Sequence, residues 1–94
     1  MLYIRLCIDK HGTNELREKY RQAHRDYLMQ SSDASIVQAG PLCVSDSDDT
    51  NLGSFLIIAA ENEAAAKRFH DNDPFTKMGL FETSHVHRWD KHIG

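Results

Sequence analysis

The chain reads as one α+β domain with alternating strand and helix segments. Three observations predict this. Residues 2–8 alternate with period two, residues from about Thr13 to Ser31 switch to a helical period, and three further apolar segments follow with a second short helix among them. Ninety-four residues, with 40% hydrophobic and 27% charged side chains, suit a single small domain spanning residues 1–94. A domain of this size has a limited core, so self-association is expected to help it.

Taken in order, "LYIRLCI" is the first strand. Leu2, Ile4, Leu6 and Ile8 point one way; Tyr3, Arg5 and Cys7 point the other. In the first helix Leu16, Tyr20, Ala23, Tyr27 and Leu28 form the apolar stripe, and Thr13 or Asn14 serves as N-cap ahead of Glu15 and Glu18. "ASIVQAGPL" is a second strand stopped by Gly40-Pro41, and "SDSDDTN", residues 45–51, reads as an exposed acidic loop. "GSFLIIAA", residues 53–60, is the third and most apolar strand. "NEAAAKRFHD" is a second helix capped by Asn62, and "FETSHVHRW", residues 81–89, is the fourth strand. The order βαββαβ predicts a ferredoxin-like, split-βαβ arrangement, a four-stranded antiparallel sheet with both helices on one face.

The third strand is apolar on both sides, with Leu56 and Ile58 opposite Phe55, Ile57 and Ala59, and on the fourth Phe81 and Trp89 share a face with Thr83, His85 and His87. Two helices cover only one face. A second copy is the economical cover for the other, so a symmetric homodimer is expected.

Charge and composition exclude several classes. The net charge is −3 with no basic stripe, so no nucleic-acid partner is expected. Arg5 and Asp9 interrupt the apolar N-terminus, and no run approaches the ~20 residues of a membrane span. Cys7 and Cys43 are far apart and form no CxxC pair. A cytoplasmic protein without a membrane partner is the expectation.

The candidate chemistry centres on "FHDNDPFTKMG". Asp before Pro is an N-cap signature, so Asp73 caps a single helical turn with Pro74 at its first position and Gly79 ending it. Among six histidines, His11 reads as exposed, His92 lies in the tail, and His70 suits a helix C-terminus as a cation. His85 and His87 share a strand face, but spacing suggests no third ligand, so a metal or haem site there is a weak alternative. His24, one turn from Tyr20 and from Leu28, sits beside the buried stripe. That place suits a general base if a carboxylate fixes its tautomer, and equally an ordinary core-edge histidine.

"RQAHRDYL", "AGPL", "GSFLIIAAENEAAA" and "DNDPFTKMGLFETSHVHRW" together resemble the YciI-like (YCII-related) family over most of the chain. The resemblance implies a ferredoxin-like fold that dimerises into an α/β barrel. It implies a site at a His–Asp dyad, falling here on His24 and Asp73, with Gly40, Pro41, Pro74 and Phe75 around a pocket for a small-molecule ligand. His85 and His87 depart from the residues other members often carry there. The implied activity is acid–base chemistry of lyase or isomerase type on a small organic metabolite, with Asp73 orienting His24 through one carboxylate oxygen while the other caps the helix. No cofactor and no metal are expected. Related dimeric α/β barrels include lactone isomerases, and one branch resembles lyases that dehydrochlorinate hydroxyquinones. A non-catalytic binding or regulatory module is the alternative reading.

Overall fold

The computed structural model describes residues 1–94. Its elements are β1 (Leu2–Asp9), α1 (Asn14–Gln30), β2 (Ala34–Ser45), β3 (Asp48–Ala60), α2 (Glu63–Asn72), α3 (Pro74–Lys77) and β4 (Phe81–Arg88). The four strands form one sheet in the order β2-β3-β1-β4, every pair antiparallel. This is the α+β, ferredoxin-like architecture that the element order implies. No helix is long and apolar enough to cross a membrane.

The helices cover the face that carries Tyr3, Arg5 and Cys7 of β1 and Leu56 and Ile58 of β3, all buried. Tyr3, Leu56 and Ile58 form the core with Ala65, Ala66 and Phe69 of α2. The two alanines let α2 settle close to the sheet, and Asn62 caps it by accepting from Ala65 N at 2.9 Å. At the crossing of β1 and β3 only glycine fits: a Cβ on Gly53 would lie 1.9 Å from the Cys7 carbonyl oxygen. The opposite face presents Ile4 beside Ile57 and Leu6 beside Phe55, flanked on β4 by His87 and His85. No element of the chain covers it.

Five expectations need correction. Gly40-Pro41 does not stop β2, which continues to Ser45. As an edge strand it can hold a proline, because a missing donor there need not break a ladder. Residues 45–51 are therefore mostly hairpin arm rather than loop, with Asp46 and Ser47 between the strands. Phe81 does not share the face of Thr83, His85 and His87. Ile8 pairs with Thr83 and Asp9 with Phe81, and this one-residue bulge turns Phe81 to the helix side. The buried residues of α1 are Arg17 and His24, whereas Ala23 is exposed, so the stripe is rotated and more polar than an apolar pattern suggests. Thr13 precedes α1 as expected, but its hydroxyl donates to Lys10 O at 2.6 Å and makes no cap bond.

Candidate functional site

Asp73 closes α2 and opens α3. A residue before proline is driven out of the helical region, and Asp73 has φ −63° and ψ 130°. That break ends α2, and Pro74 then starts α3 at the one position where its missing N–H costs nothing. Gly79, at φ +75°, adopts the left-handed backbone that turns the chain into β4. The short helix is thus fixed at both ends, and its cap is fixed with it.

The Asp73 side chain is fully buried and held by two hydrogen bonds and an ion pair. Oδ1 accepts from Phe75 N at 2.9 Å and lies 2.8 Å from His24 Nδ1. Oδ2 pairs with Arg5 Nη1 at 2.7 Å. The expectation that one oxygen takes the backbone and the other the imidazole is corrected here: Oδ1 takes both, because the fully buried Arg5 guanidinium occupies Oδ2. Burial pushes the Asp73 carboxyl up, but the His24 hydrogen bond, the Arg5 and His24 charges and the Phe75 N–H outweigh it and hold the group below the usual carboxylate range. An ionised carboxylate only accepts, so Nδ1 carries the proton in a neutral His24, and Nε2 is left as the basic nitrogen.

Arg5 is the member that sequence reasoning missed. Its Nε donates to Cys7 Sγ at 3.3 Å, and its guanidinium lies 5.2 Å from the Phe81 ring centroid and 5.9 Å from that of Phe69. The signal was present. An arginine between Tyr3 and Cys7 on one face of a strand must find an anion if that face is covered.

His24 is clamped in a second direction. Its ring stacks on Phe75 at 4.0 Å with an interplanar angle of 11°, and the Arg17 guanidinium lies 4.9 Å from the Phe75 centroid. Arg17 is in turn bound by both oxygens of Asp9, at 2.7 and 2.9 Å.

His24 and Phe75 line a cavity of about 450 Å³ between α1, the β2 edge and β3, within the range of small-ligand sites. Gly40 and Pro41 line the same cavity. Pro41 and Ala39 are paired with Ser54 and Leu56 and share their side of the sheet, whereas Gly40 is paired with Phe55 and contributes backbone. Arg17, Arg21 and Arg25 line this wall of α1; Arg17 is paired with Asp9 and Arg21 with Glu18, which leaves Arg25 as the arginine without a carboxylate partner. Pro74 lies elsewhere, in a separate groove of about 550 Å³ with Tyr20, Tyr27 and Met78. That larger groove contains neither His24 nor Asp73.

The other histidines stand apart from this cavity. His85 and His87 stack 6.0 Å apart, exposed on the open sheet face, and no group of three or more His, Cys, Asp or Glu side chains is placed to hold a metal ion. His70 ends α2 as expected, but burial, then the Arg5 charge, push its pKa down, away from the expected cation.

Fold and site define a small ferredoxin-like protein with a buried histidine–carboxylate pair beside a ligand-sized cavity. The chain belongs to the YCII-related domain family, whose sequence model matches residues 1–90. It is 33% identical to the protein YciI of Escherichia coli over an 87-residue alignment covering 87% of this chain and 89% of the relative. It is similar to the 5-chloro-2-hydroxyhydroquinone dehydrochlorinase TftG of Burkholderia phenoliruptrix, solved in complex with 2,5-dihydroxybenzoquinone. The identity is 36%, the TM-score 0.84, and the match covers 98% of this chain and 96% of that one. An Arabidopsis thaliana protein shares the fold at 12% identity, with a TM-score of 0.56 over 99% of this chain and 96% of that one.

Proposed function

We propose that this chain is a homodimeric acid–base enzyme of the lyase type, acting on a small planar ring rich in hydroxyl groups. The observation that carries the reading is the 2.8 Å contact between His24 Nδ1 and a buried, three-fold-held Asp73 carboxylate, with His24 lining the cavity. Asp73 fixes the tautomer and stabilises the imidazolium when it forms. His24 Nε2 takes and returns protons. Phe75 keeps the imidazole plane fixed, so the proton path does not wander.

The similarity to TftG supports halogenated hydroxyquinols as the substrate class of this reading. For such a ring the reaction balances without an external oxidant. Two hydroxyl protons leave the ring, and one proton arrives at the halogen-bearing carbon. Halide departs with its bonding pair, leaving a quinone and one equivalent of HX. A single base that alternates between receiving and giving a proton suits this sequence. Arg25, which lines the cavity without a carboxylate partner, favours the phenolate over the phenol.

The dimer pairs the open faces, burying the half-exposed Ile4, Leu6 and Phe55 against their copies, with Ile57 already buried among them. Only 18 of the 94 residues are buried in one chain, so such pairing adds substantially to a small core.

Incubation with 5-chloro-2-hydroxyhydroquinone tests the reading, with chloride release and quinone absorbance followed together. The expected result is equimolar chloride and quinone, strongly slowed in His24→Gln. Saturable binding without chloride release would make the protein a binding module instead, and an undiminished rate in the variant would remove His24 from the chemistry.

A further inference from the structure

Among the polar side chains that line the cavity, Ser54 stands in an unusual position. It is 4% exposed, and its hydroxyl has no hydrogen-bond partner within the chain. A buried hydroxyl left unpaired costs free energy, and most such groups in folded proteins are satisfied. Nothing in the packing forces a serine here. Ser54 sits mid-strand between Cys7 and Pro41, at a register position that alanine would fill without a polar atom.

The second copy proposed above cannot supply the missing partner. Ser54 shares the helix side of the sheet with Leu56, Arg5 and Cys7, whereas the open face carries Phe55 and Ile57. Partner residues stacked on that face are separated from the hydroxyl by the sheet itself. The cavity is the remaining direction. Its α1 wall presents His24 and the arginines, while its sheet wall is formed by Ala39, Pro41, Asn51, Ser54 and Leu56. Ser54 and Asn51 both offer a side-chain hydrogen bond, but only Ser54 is buried with its polar atom left unpaired within the chain.

We propose that Ser54 is a specificity-determining residue whose hydroxyl bonds an oxygen of a planar hydroxyquinone-class ring bound in the cavity, while another part of that ring faces His24. This rests on the function proposed above and adds to it the requirement for a ring oxygen on the sheet side. A ring with oxygens at opposite ends fits both walls at once. A ring lacking the sheet-side oxygen leaves Ser54 unpaired and gains nothing from it.

The test uses the full chain, with 2,5-dihydroxybenzoquinone titrated by its own absorbance and thermal unfolding measured in parallel. In Ser54→Ala the dissociation constant rises roughly tenfold, as expected for loss of one hydrogen bond to a polar ligand. The Tm of the unliganded variant is unchanged or higher, because an unpaired buried hydroxyl has been removed. Ser54→Cys, a weaker donor of similar shape, falls between the two. Equal affinity in wild type and Ser54→Ala overturns the assignment while leaving the function intact. A Tm several degrees lower in unliganded Ser54→Ala overturns it as well, by revealing a structural hydrogen bond. No binding of the quinone by the wild type overturns the substrate class and this assignment together.

Discussion

The two faces of the sheet divide the work in an unexpected way. The face covered by helices holds the buried charge: Arg5 of β1, with Asp73, Arg17 and His24 brought against it. The face that no element covers is the apolar one, with Ile4 and Leu6 beside Ile57 and Phe55. Burial of apolar area usually drives a helix onto a sheet. Here α2 does this over Tyr3, Leu56 and Ile58, joined by Tyr27 and Leu28 of α1, while the rest of α1 and α3 meet the sheet through an ion-pair and stacking network. Such a network is a weak source of stability, since desolvation offsets much of its attraction. What it supplies is position. Each of Asp73, His24 and Phe75 is held by at least two contacts of different kinds, which suits proton transfer better than assembly. The open face has the opposite character, with large apolar side chains and no fixed polar geometry, which suits a partner copy.

The contrast breaks most visibly at His24. In His24→Gln an amide N–H can still reach Asp73, but it cannot carry protons near neutral pH. Turnover of a chlorinated hydroxyquinol should fall by about 10²–10⁴-fold, with thermal unfolding little changed. A loss of only a few-fold in steady-state rate would move His24 into the packing and leave the covered face without chemistry.

Next in size is Arg5→Met. It leaves Asp73 buried beside an apolar side chain, and breaking a buried pair this way costs about 3–5 kcal/mol. Urea unfolding should show that loss. Pairing the change with Asp73→Asn should recover part of it, because the stranded charge goes too. If the double variant is as unstable as the sum of the singles, the two residues act independently and the ion pair is not what joins α3 to β1.

Phe55→Asp sharpens the comparison from the other side. A charge on the open face prevents apolar pairing, so light scattering should move from twice the 10.7 kDa chain mass to one. The monomer should still place His24 against Asp73, since those residues lie on the other side of the sheet. A wild type that is already monomeric at micromolar concentration would end the assembly half of the contrast.

How far this division was legible in the sequence depends on the residue. The Asp73-Pro74 junction was readable, because both the cap and the proline act locally, and the structure has the cap, the helical turn and the Gly79 stop that they imply. The alternation in β1 separated Arg5 from Ile4 and Leu6, but alternation does not say which set is covered. A natural guess buries the four aliphatic residues, and the structure buries the set containing Arg5. The same bias misaligned α1. Apolar periodicity places Ala23 inward, whereas the residues turned inward are Arg17 and His24, whose partners Asp9 and Asp73 come from other elements. Long-range pairing of this kind has no local signature. The bulge that turns Phe81 around is equally silent, since it depends on the register of two strands more than seventy residues apart. Turn-rich composition at 45–51 concealed a hairpin because only two of those residues are needed for the turn.

The smallest expected effect is the pH-dependent part of Asp73's contribution, small because burial itself opposes ionisation. The sign follows from the direction of the shift. The folded-state pKa of Asp73 lies below the ordinary carboxylate value of 3.8, so between the two values the unfolded chain binds more protons than the native one. The stabilisation is therefore fully present above that ordinary value and is lost as pH falls through the folded one. Asp73→Asn keeps a good helix cap but has no proton to gain. Its unfolding free energy should lie below wild type at pH 7, and the gap should narrow as the pH is taken from 5 to 2. The exposed carboxylates Asp48 and Glu63 are also shifted down, by Thr50 and Lys67, but they titrate alike in both proteins and cancel in the difference. Urea midpoints measured across that range give the gap directly. A gap that stays constant with pH would mean that Asp73 titrates alike in the folded and unfolded chains. In that case the Arg5 and His24 contacts do no more than offset its burial, and the covered face holds its carboxylate by shape rather than by charge.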